Sequence, residues 1–298
     1  MKLNIDMDSV IKKISVLTKK GFFGDLVGEY RSAFRGRGLE FTAFRNYDNT
    51  DDAVRIDWKA TLRSKDILVR QFEEERNLNV MFLFDTSNSM LYSSTRQLKA
   101  EYAAELIGAM TYGILKADDA VGLMMFSDNV KVFMRPKIGK EQFFRISKEL
   151  KNENNYGGGK DYNRFLKVVD KALPRTTTIF IVSDFIGLPE DIHSSFNTFA
   201  HKFEMIAGFM IRDPNDNYMP LVGRVTISNP FTREELTVDT NAIAKRYNRE
   251  VYEQKKMLEN TFKKSNSDLI EFQSDQDFMK NLLMFLKVRK IKKQIKVK

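Results

Sequence analysis

Val80-Met81-Phe82-Leu83-Phe84-Asp85-Thr86-Ser87-Asn88-Ser89-Met90 is the stretch that decides how this chain reads. An apolar run of five is too short to cross a bilayer and suits a strand buried on both faces, as in a parallel sheet. The strand stops on a carboxylate, and two hydroxyls follow at spacing two. In an open α/β sheet, ligands bind outside the carboxyl ends of the strands. One acid and two hydroxyls there form an all-oxygen set, which suits a hard cation such as Mg²⁺ or Mn²⁺.

A second stretch repeats this logic. Thr178-Ile179-Phe180-Ile181-Val182-Ser183-Asp184 is a buried strand that delivers Asp184 to the same rim as Asp85. If the two strands are neighbours, about 4.8 Å apart, both carboxylates face one crevice. A third loop, Tyr156-Gly157-Gly158-Gly159-Lys160-Asp161, precedes a helix and is placed to close that crevice. From residue 77 the pattern alternates strand and helix. Strands are predicted at 79–84, 120–126, 130–134, 177–183, 204–211 and 267–272, and helices at 95–116, 141–151, 161–173, 189–201, 240–263 and 275–288. This argues for βαβ units and a mainly parallel sheet. Residues 120–126 and 130–134 are too close for a crossover, so they form a hairpin through Ser127-Asp128-Asn129, with one antiparallel strand at the sheet edge. Residues 212–237, polar and proline-containing, read as a long irregular insertion.

Upstream the chain divides differently. Residues 1–24 carry an amphipathic helix over 6–20, with Val10, Ile11, Ile14 and Leu17 on one side, ended by Gly21 and Gly24. Residues 25–76 are strand-and-turn in character, dense in charge of both signs. About fifty residues bury too little apolar surface for independence. Phe41, Phe44, Tyr47, Ile56, Trp58 and Phe72 are therefore expected to pack among themselves and on the larger domain, 77–288. Residues 289–298 form a basic tail.

Composition removes several classes of function. The 298 residues include no Cys, which excludes disulfides, thiolate nucleophiles and Cys-based zinc sites. His193 and His201 are the only histidines, and neither lies near a Gly-x-Ser-x-Gly turn; both read as surface helix residues. No Gly-x-x-x-x-Gly-Lys-Ser/Thr occurs, since Asp161 follows Lys160 and Glu141 follows Lys140. The net charge of +9 lies largely at the ends: Lys12, Lys13, Lys19 and Lys20, then Lys287, Arg289, Lys290, Lys292, Lys293, Lys296 and Lys298. That tail lacks the interleaved aromatics of a single-strand binding groove, which argues against nucleic acid. With no leader-like or bilayer-length apolar run, the expectation is a soluble cytoplasmic protein.

Asp85, Ser87 and Ser89 resemble the first loop of the metal-ion-dependent adhesion site of von Willebrand factor A-like domains, and Asp184 resembles its third. Gly36-Arg37-Gly38-Leu39-Glu40-Phe41, Phe44-Arg45-Asn46-Tyr47, the segment from Asp51 to Thr61, and Phe72 to Arg76 narrow the likeness. They are similar to the signature of the family known as domain of unknown function fifty-eight, in its short form, over about residues 20–288. The resemblance implies a non-catalytic module for protein interaction, holding Mg²⁺ or Mn²⁺ through Asp85, Ser87, Ser89 and Asp184. It implies a partner that presents an acidic group to complete the octahedron, and a MoxR-type AAA+ ATPase as that partner, in assembly or maturation of a complex. One residue departs from the pattern. Where the resemblance implies a threonine in the second loop stands Lys160, which has no lone pair for a metal. Its ammonium either takes the cation's place between Asp85 and Asp184 or turns outward.

Two other readings compete. A metal-dependent phosphohydrolase or nuclease would use Asp85, Asp161 and Asp184. A phosphohydrolase of the haloacid-dehalogenase type needs an acid two residues after its nucleophile, and that position is Ser87. A basic scaffold would bind anionic partners without metal, and its binding would fall steeply with salt.

Overall fold

The apolar runs become strands where the sequence places them. The computed structural model describes residues 3–7, 10–12, 30, 40–48, 51–64, 66–73, 77–189 and 191–296. In chain order they form β1 (Glu40–Asn46), α1 (Trp58–Thr61), β2 (Leu68–Glu73), β3 (Asn79–Asp85), α2 (Lys99–Lys116), β4 (Ala120–Phe126), β5 (Val130–Lys137), α3 (Lys140–Lys151), α4 (Tyr162–Ala172), β6 (Thr177–Ser183), α5 (Ile192–Ala200), β7 (Met205–Arg212), α6 (Pro214–Asn217), β8 (Arg224–Ser228), β9 (Glu235–Asp239), α7 (Thr240–Lys264), β10 (Asp268–Gln273) and α8 (Phe278–Lys296).

Six strands make one sheet in the order β10-β7-β6-β3-β4-β5. All neighbours are parallel except β4 and β5, so the antiparallel strand lies at an edge as expected. This is a doubly wound, mainly parallel α/β sheet with helices on both faces, the class that the resemblance to von Willebrand A-like domains implies. Period two divides β3 between two cores. Val80, Phe82 and Phe84 join α2, α3 and α8 on one face, with Leu106, Ile107, Phe209 and Leu282. Met81 and Leu83 join α4, α5 and α7 on the other, with Phe165, Phe196 and Phe262. Burying each such side chain contributes roughly 1.5–3 kcal/mol, so both faces of the strand hold the sheet between its helices. Gly122 lets β4 meet β5: a Cβ there would lie 2.6 Å from the Met134 carbonyl oxygen and 2.8 Å from the Pro136 nitrogen. Pro136, which cannot donate to a ladder, sits in the edge strand, where it is tolerated.

α8 runs on to Lys296, past the helix read at 275–288 and through most of the segment read as a basic tail. Three further features differ from the reading of the sequence. The insertion at 212–237 contains a hairpin, β8 paired antiparallel with β9 from Arg224↔Asp239 to Ser228↔Glu235. Its strands are five residues each, too short to stand out, and Pro230 falls in the turn, where the Asn229 side chain accepts from the Phe231 and Thr232 amides. The helix read at 95–116 begins at Lys99, because residues 93–97 are held in a turn by Ser93. The third concerns the aromatics upstream. β1 and β2 pair as a separate two-stranded sheet, and Phe44 and Trp58 are 44% and 64% exposed. Ile56 bridges Val69 and turns inward, which leaves Trp58 outward on the following turn. The side chains of Phe41 and Phe72 lie outside the described residues. Of the helix read at 6–20, residues 7 and 10–12 are helical, and 13–20 lie outside the described residues. Met7 and Val10 pack in the first core.

Candidate functional site

Parallel strands β3, β6 and β7 each end on or beside an aspartate, so Asp85, Asp184 and Asp213 arrive at one rim. Asp85 is fully buried. Its Oδ1 accepts from the Ser87 amide at 3.0 Å, and its Oδ2 accepts from Ser183 Oγ at 2.6 Å and Tyr162 OH at 3.2 Å. Ser183 and Tyr162 also share a short hydrogen bond. Ser87 Oγ and Ser89 Oγ lie 3.3 Å apart.

The glycine loop brings Lys160 into the middle of this set. Its Nζ lies 2.9 Å from Asp85 Oδ2 and donates to Asp184 Oδ1 at 2.8 Å, Ser89 Oγ at 2.9 Å and the Ile186 carbonyl at 3.3 Å. The backbone holds the loop in place. The Gly157 amide donates to the Thr86 carbonyl at 2.8 Å, the Asn88 amide to the Gly158 carbonyl at 3.1 Å, and the Gly158 amide to Asn88 Oδ1 at 3.0 Å. Gly157 and Gly158 take φ of 91° and 106°, which side-chain-bearing residues rarely adopt. Asn88 also ties the rim to the β8–β9 hairpin, donating from Nδ2 to the Pro230 carbonyl at 3.0 Å.

A second buried ammonium joins from the opposite side. Lys99 Nζ, at the start of α2, lies 3.0 Å from Asp184 Oδ2 and 2.7 Å from Asp216 Oδ2. Asp216 Oδ2 also accepts from the Asp213 amide. Asp213 accepts from the Ser94 amide at 2.7 Å and Ser94 Oγ at 2.5 Å, which fixes the turn that leads into α2. The chain Asp85–Lys160–Asp184–Lys99–Asp216 thus alternates in sign through the interior.

The electrostatics follow from burial and charge. Burial pushes the Asp184 carboxyl up, but the ammonium groups of Lys160 and Lys99 more than reverse this and hold it well below the usual carboxylate range. Burial disfavours the charged Lys160, yet Asp184 and Asp85 raise it far above the ordinary lysine range. Burial raises the Tyr162 phenol, with Lys160 opposing and Asp85 and Asp184 adding, so it stays protonated and donates.

Of the residues read as site residues, Asp85, Ser87, Ser89, Lys160 and Asp184 come together. Asp161 does not join them; its carboxylate caps α4 by accepting from the Arg164 amide at 2.9 Å. His193 pairs through Nδ1 with Thr261 Oγ1 of α7. The sequence reading missed Lys99, Asp213 and Asp216. Two of them carried a signal. Asp213 follows a buried strand, as Asp184 does. Lys99 puts a cation in the first turn of a helix, where the dipole disfavours it, so a tertiary carboxylate had to compensate.

As arranged, the oxygens suit an ammonium. Contacts of 2.8–2.9 Å are hydrogen-bond lengths, whereas Mg²⁺ needs oxygens at about 2.0–2.1 Å. Among the described residues no group of three or more His, Cys, Asp or Glu side chains is placed to hold a metal ion.

Residues 43–257 match the family model described as "Protein of unknown function DUF58". The chain belongs to the DUF58 family. Relatives of this DUF58 chain include the uncharacterized proteins Mb1516 of Mycobacterium bovis and Rv1480 of Mycobacterium tuberculosis. Each is 21% identical over 286 residues, covering 95% of this chain and 89% of the relative. Among solved structures it is similar to an aerotolerance-related membrane protein from Bacteroides fragilis, with 14% identity, a TM-score of 0.48, and 72% of this chain and 100% of that one covered. It is also similar to the conserved hypothetical protein BatB from Bacteroides thetaiotaomicron, with 14% identity, a TM-score of 0.46, and coverage of 74% and 100%.

Proposed function

We propose that this chain is a non-catalytic protein-interaction module that docks a partner on the rim, and that it supplies the cation of an adhesion-type site from its own sequence. The observation that carries this reading is the position of Lys160 Nζ, within 2.9 Å of Asp85, Ser89 and Asp184. An ammonium has three N–H donors, and Ser89 Oγ, Asp184 Oδ1 and the Ile186 carbonyl take them, with Asp85 Oδ2 beside the charge as an ion-pair partner. The same contacts weigh against the enzymatic alternative. Asp85, its nucleophile, already accepts from Ser87, Ser183 and Tyr162, and Asp161 is spent on a helix cap.

The Lys160 side chain is only 4% exposed, so a partner meets the loops around the ion pair before it meets the ion pair itself. Asp128 and Asn129 of the β4–β5 turn are exposed beside Gly158 and offer the first contacts. An acidic group on the partner would draw Lys160 outward to reach it. The partner that the family resemblance implies is a MoxR-type AAA+ ATPase. Binding of such an ATPase, measured by surface plasmon resonance, is expected to weaken at least about tenfold for Asn129→Glu, which sets a like charge against the partner's acidic group at a cost of several kcal/mol. Equal binding by both proteins overturns the rim as the docking face.

The tethered cation has its own test. Calorimetric titration of the wild type with Mn²⁺ is expected to show weak binding. Lys160→Thr removes a positive charge and adds an oxygen, so its affinity is expected to rise at least about tenfold, or ~1.4 kcal/mol. Tight wild-type binding that the substitution leaves unchanged would show that Lys160 yields its place to a metal.

A further inference from the structure

The segment between β1 and β2 is a surface of a different kind. Asp57 caps α1 by accepting from the Lys59 and Ala60 amides, and the Leu62 amide donates to the Trp58 carbonyl at 3.0 Å. Trp58 and Leu62 therefore lie one turn apart on one face, with Lys59 and Arg63 on the adjoining row. The opposite side faces inward: Ile56, Ala60 and Thr61 are half-buried, and Thr61 Oγ1 accepts from the Leu68 amide. Outward, Val54 is 88% exposed, Leu62 85% and Trp58 64%; the first two are the most exposed large apolar side chains among the described residues.

Charge at this protrusion is of both signs, with Asp66 exposed in the turn after Arg63, but the acids beside the apolar tip are engaged and the cations are not. Asp51 is engaged with Arg45, Asp52 accepts from the Val54 amide, and Asp57 caps the helix. These three carboxylates are thus turned to the protein's own donors. Lys59 and Arg63 are exposed and, among the described residues, pair with no carboxylate. An apolar tip flanked by uncompensated cations, on a chain of net charge +9, complements an anionic surface that is apolar beneath. A protein groove of that character would need acids around an apolar floor. A bilayer with anionic headgroups offers both layers everywhere, and tryptophan prefers the boundary between them. No described helix is long and apolar enough to cross a membrane.

We propose that Val54, Trp58 and Leu62, with Lys59 and Arg63, form a peripheral docking wedge for an anionic phospholipid bilayer. The apolar tips enter the headgroup layer while the two cations contact lipid phosphates. Either attraction alone is marginal; the two together give measurable attachment. This contact is separate from the rim, so neither proposal depends on the other.

Trp58 is the only tryptophan of the chain, so its emission reports on this patch alone. The full-length protein is mixed with vesicles of phosphatidylcholine, with and without phosphatidylglycerol. Emission is expected to move to shorter wavelength with the anionic vesicles and much less with the neutral ones. Val54→Asp with Leu62→Asp, at exposed positions that leave the fold alone, is expected to lower vesicle partition at least about tenfold. Lys59→Gln with Arg63→Gln is expected to remove most of the preference for anionic lipid. Three outcomes overturn the proposal. The first is no sedimentation with anionic vesicles. The second is sedimentation with Trp58 emission unmoved, which would place attachment elsewhere, as on the basic C-terminal segment. The third is a Trp58 shift produced by a protein partner and by no vesicle.

Discussion

Lys160→Met is expected to destabilise the fold by about 3–5 kcal/mol at pH 7, the cost of removing one partner from a buried charge pair. The side chain is 4% exposed and faces Asp85 and Asp184, both fully buried, so no solvent screens the loss. The pH dependence gives the result a sign. In the wild type, Asp184 is held below its unfolded value, so its contribution is present above the unfolded pKa of about 3.9. It is lost only as pH falls from there toward the folded value. Lys160 is raised, so its contribution is complete below the unfolded pKa of about 10.4 and is lost only as pH climbs toward the folded value. Wild-type stability from this network is therefore flat between about pH 5 and 9. In Lys160→Met, burial without its ammonium pushes at least one carboxyl upward, so the folded variant takes up a proton as pH falls. Its deficit against wild type is expected to shrink from pH 7 to pH 5, read from urea unfolding midpoints. A deficit below about 1 kcal/mol, or one that does not change with pH, would mean that the ammonium is not the counter-charge of these acids.

What could be read from the sequence was what local pattern dictates. An apolar run that stops on an acid marks a buried parallel strand and its carboxyl end, and so Asp85 and Asp184 were found as neighbours on one rim. The same rule applied to Met205–Arg212 finds Asp213, but not Asp216, which lies in the short helix that follows. The charged and proline-containing residues after it read instead as the start of an irregular insertion. Lys160 was legible as a departure from a pattern, but not its direction, because a four-carbon stem can either snorkel or fold inward. Its direction is set by backbone bonds between residues far apart, Gly157 to Thr86 and Gly158 to Asn88. Trp58 was misread for a general reason. Large apolar residues are usually inside, but the rule runs one way, and over half of a protein surface is apolar. In a short turn whose inner positions belong to Ile56, Ala60 and Thr61, the remaining apolar side chains have no core to reach.

Lys99→Met separates two accounts of the same residue by sign. A lysine in the first turn of a helix opposes the helix dipole, so removing an exposed one stabilises by about 0.3–1 kcal/mol. Lys99 is 1% exposed and bridges Asp184 and Asp216, and Asp216 has no other cation within salt-bridge distance among the described residues. Removing the ammonium leaves one carboxylate unpaired in the interior. The expected change is therefore a loss of about 3–5 kcal/mol, opposite in direction and several times larger. The effect extends to the path of the chain. Asp216 and Asp213 brace each other at the end of β7, and Asp213 holds Ser94 at the entry to α2. Amide exchange at Ser94 and through the first turn of α2 is expected to quicken along with the drop in the urea midpoint. Because Lys99 and Lys160 share Asp184, the double variant Lys99→Met, Lys160→Met is expected to depart from the sum of the singles by at least about 0.5 kcal/mol. A stabilised Lys99→Met, or strict additivity in that cycle, would separate the two lysines and break the internal network into independent pairs.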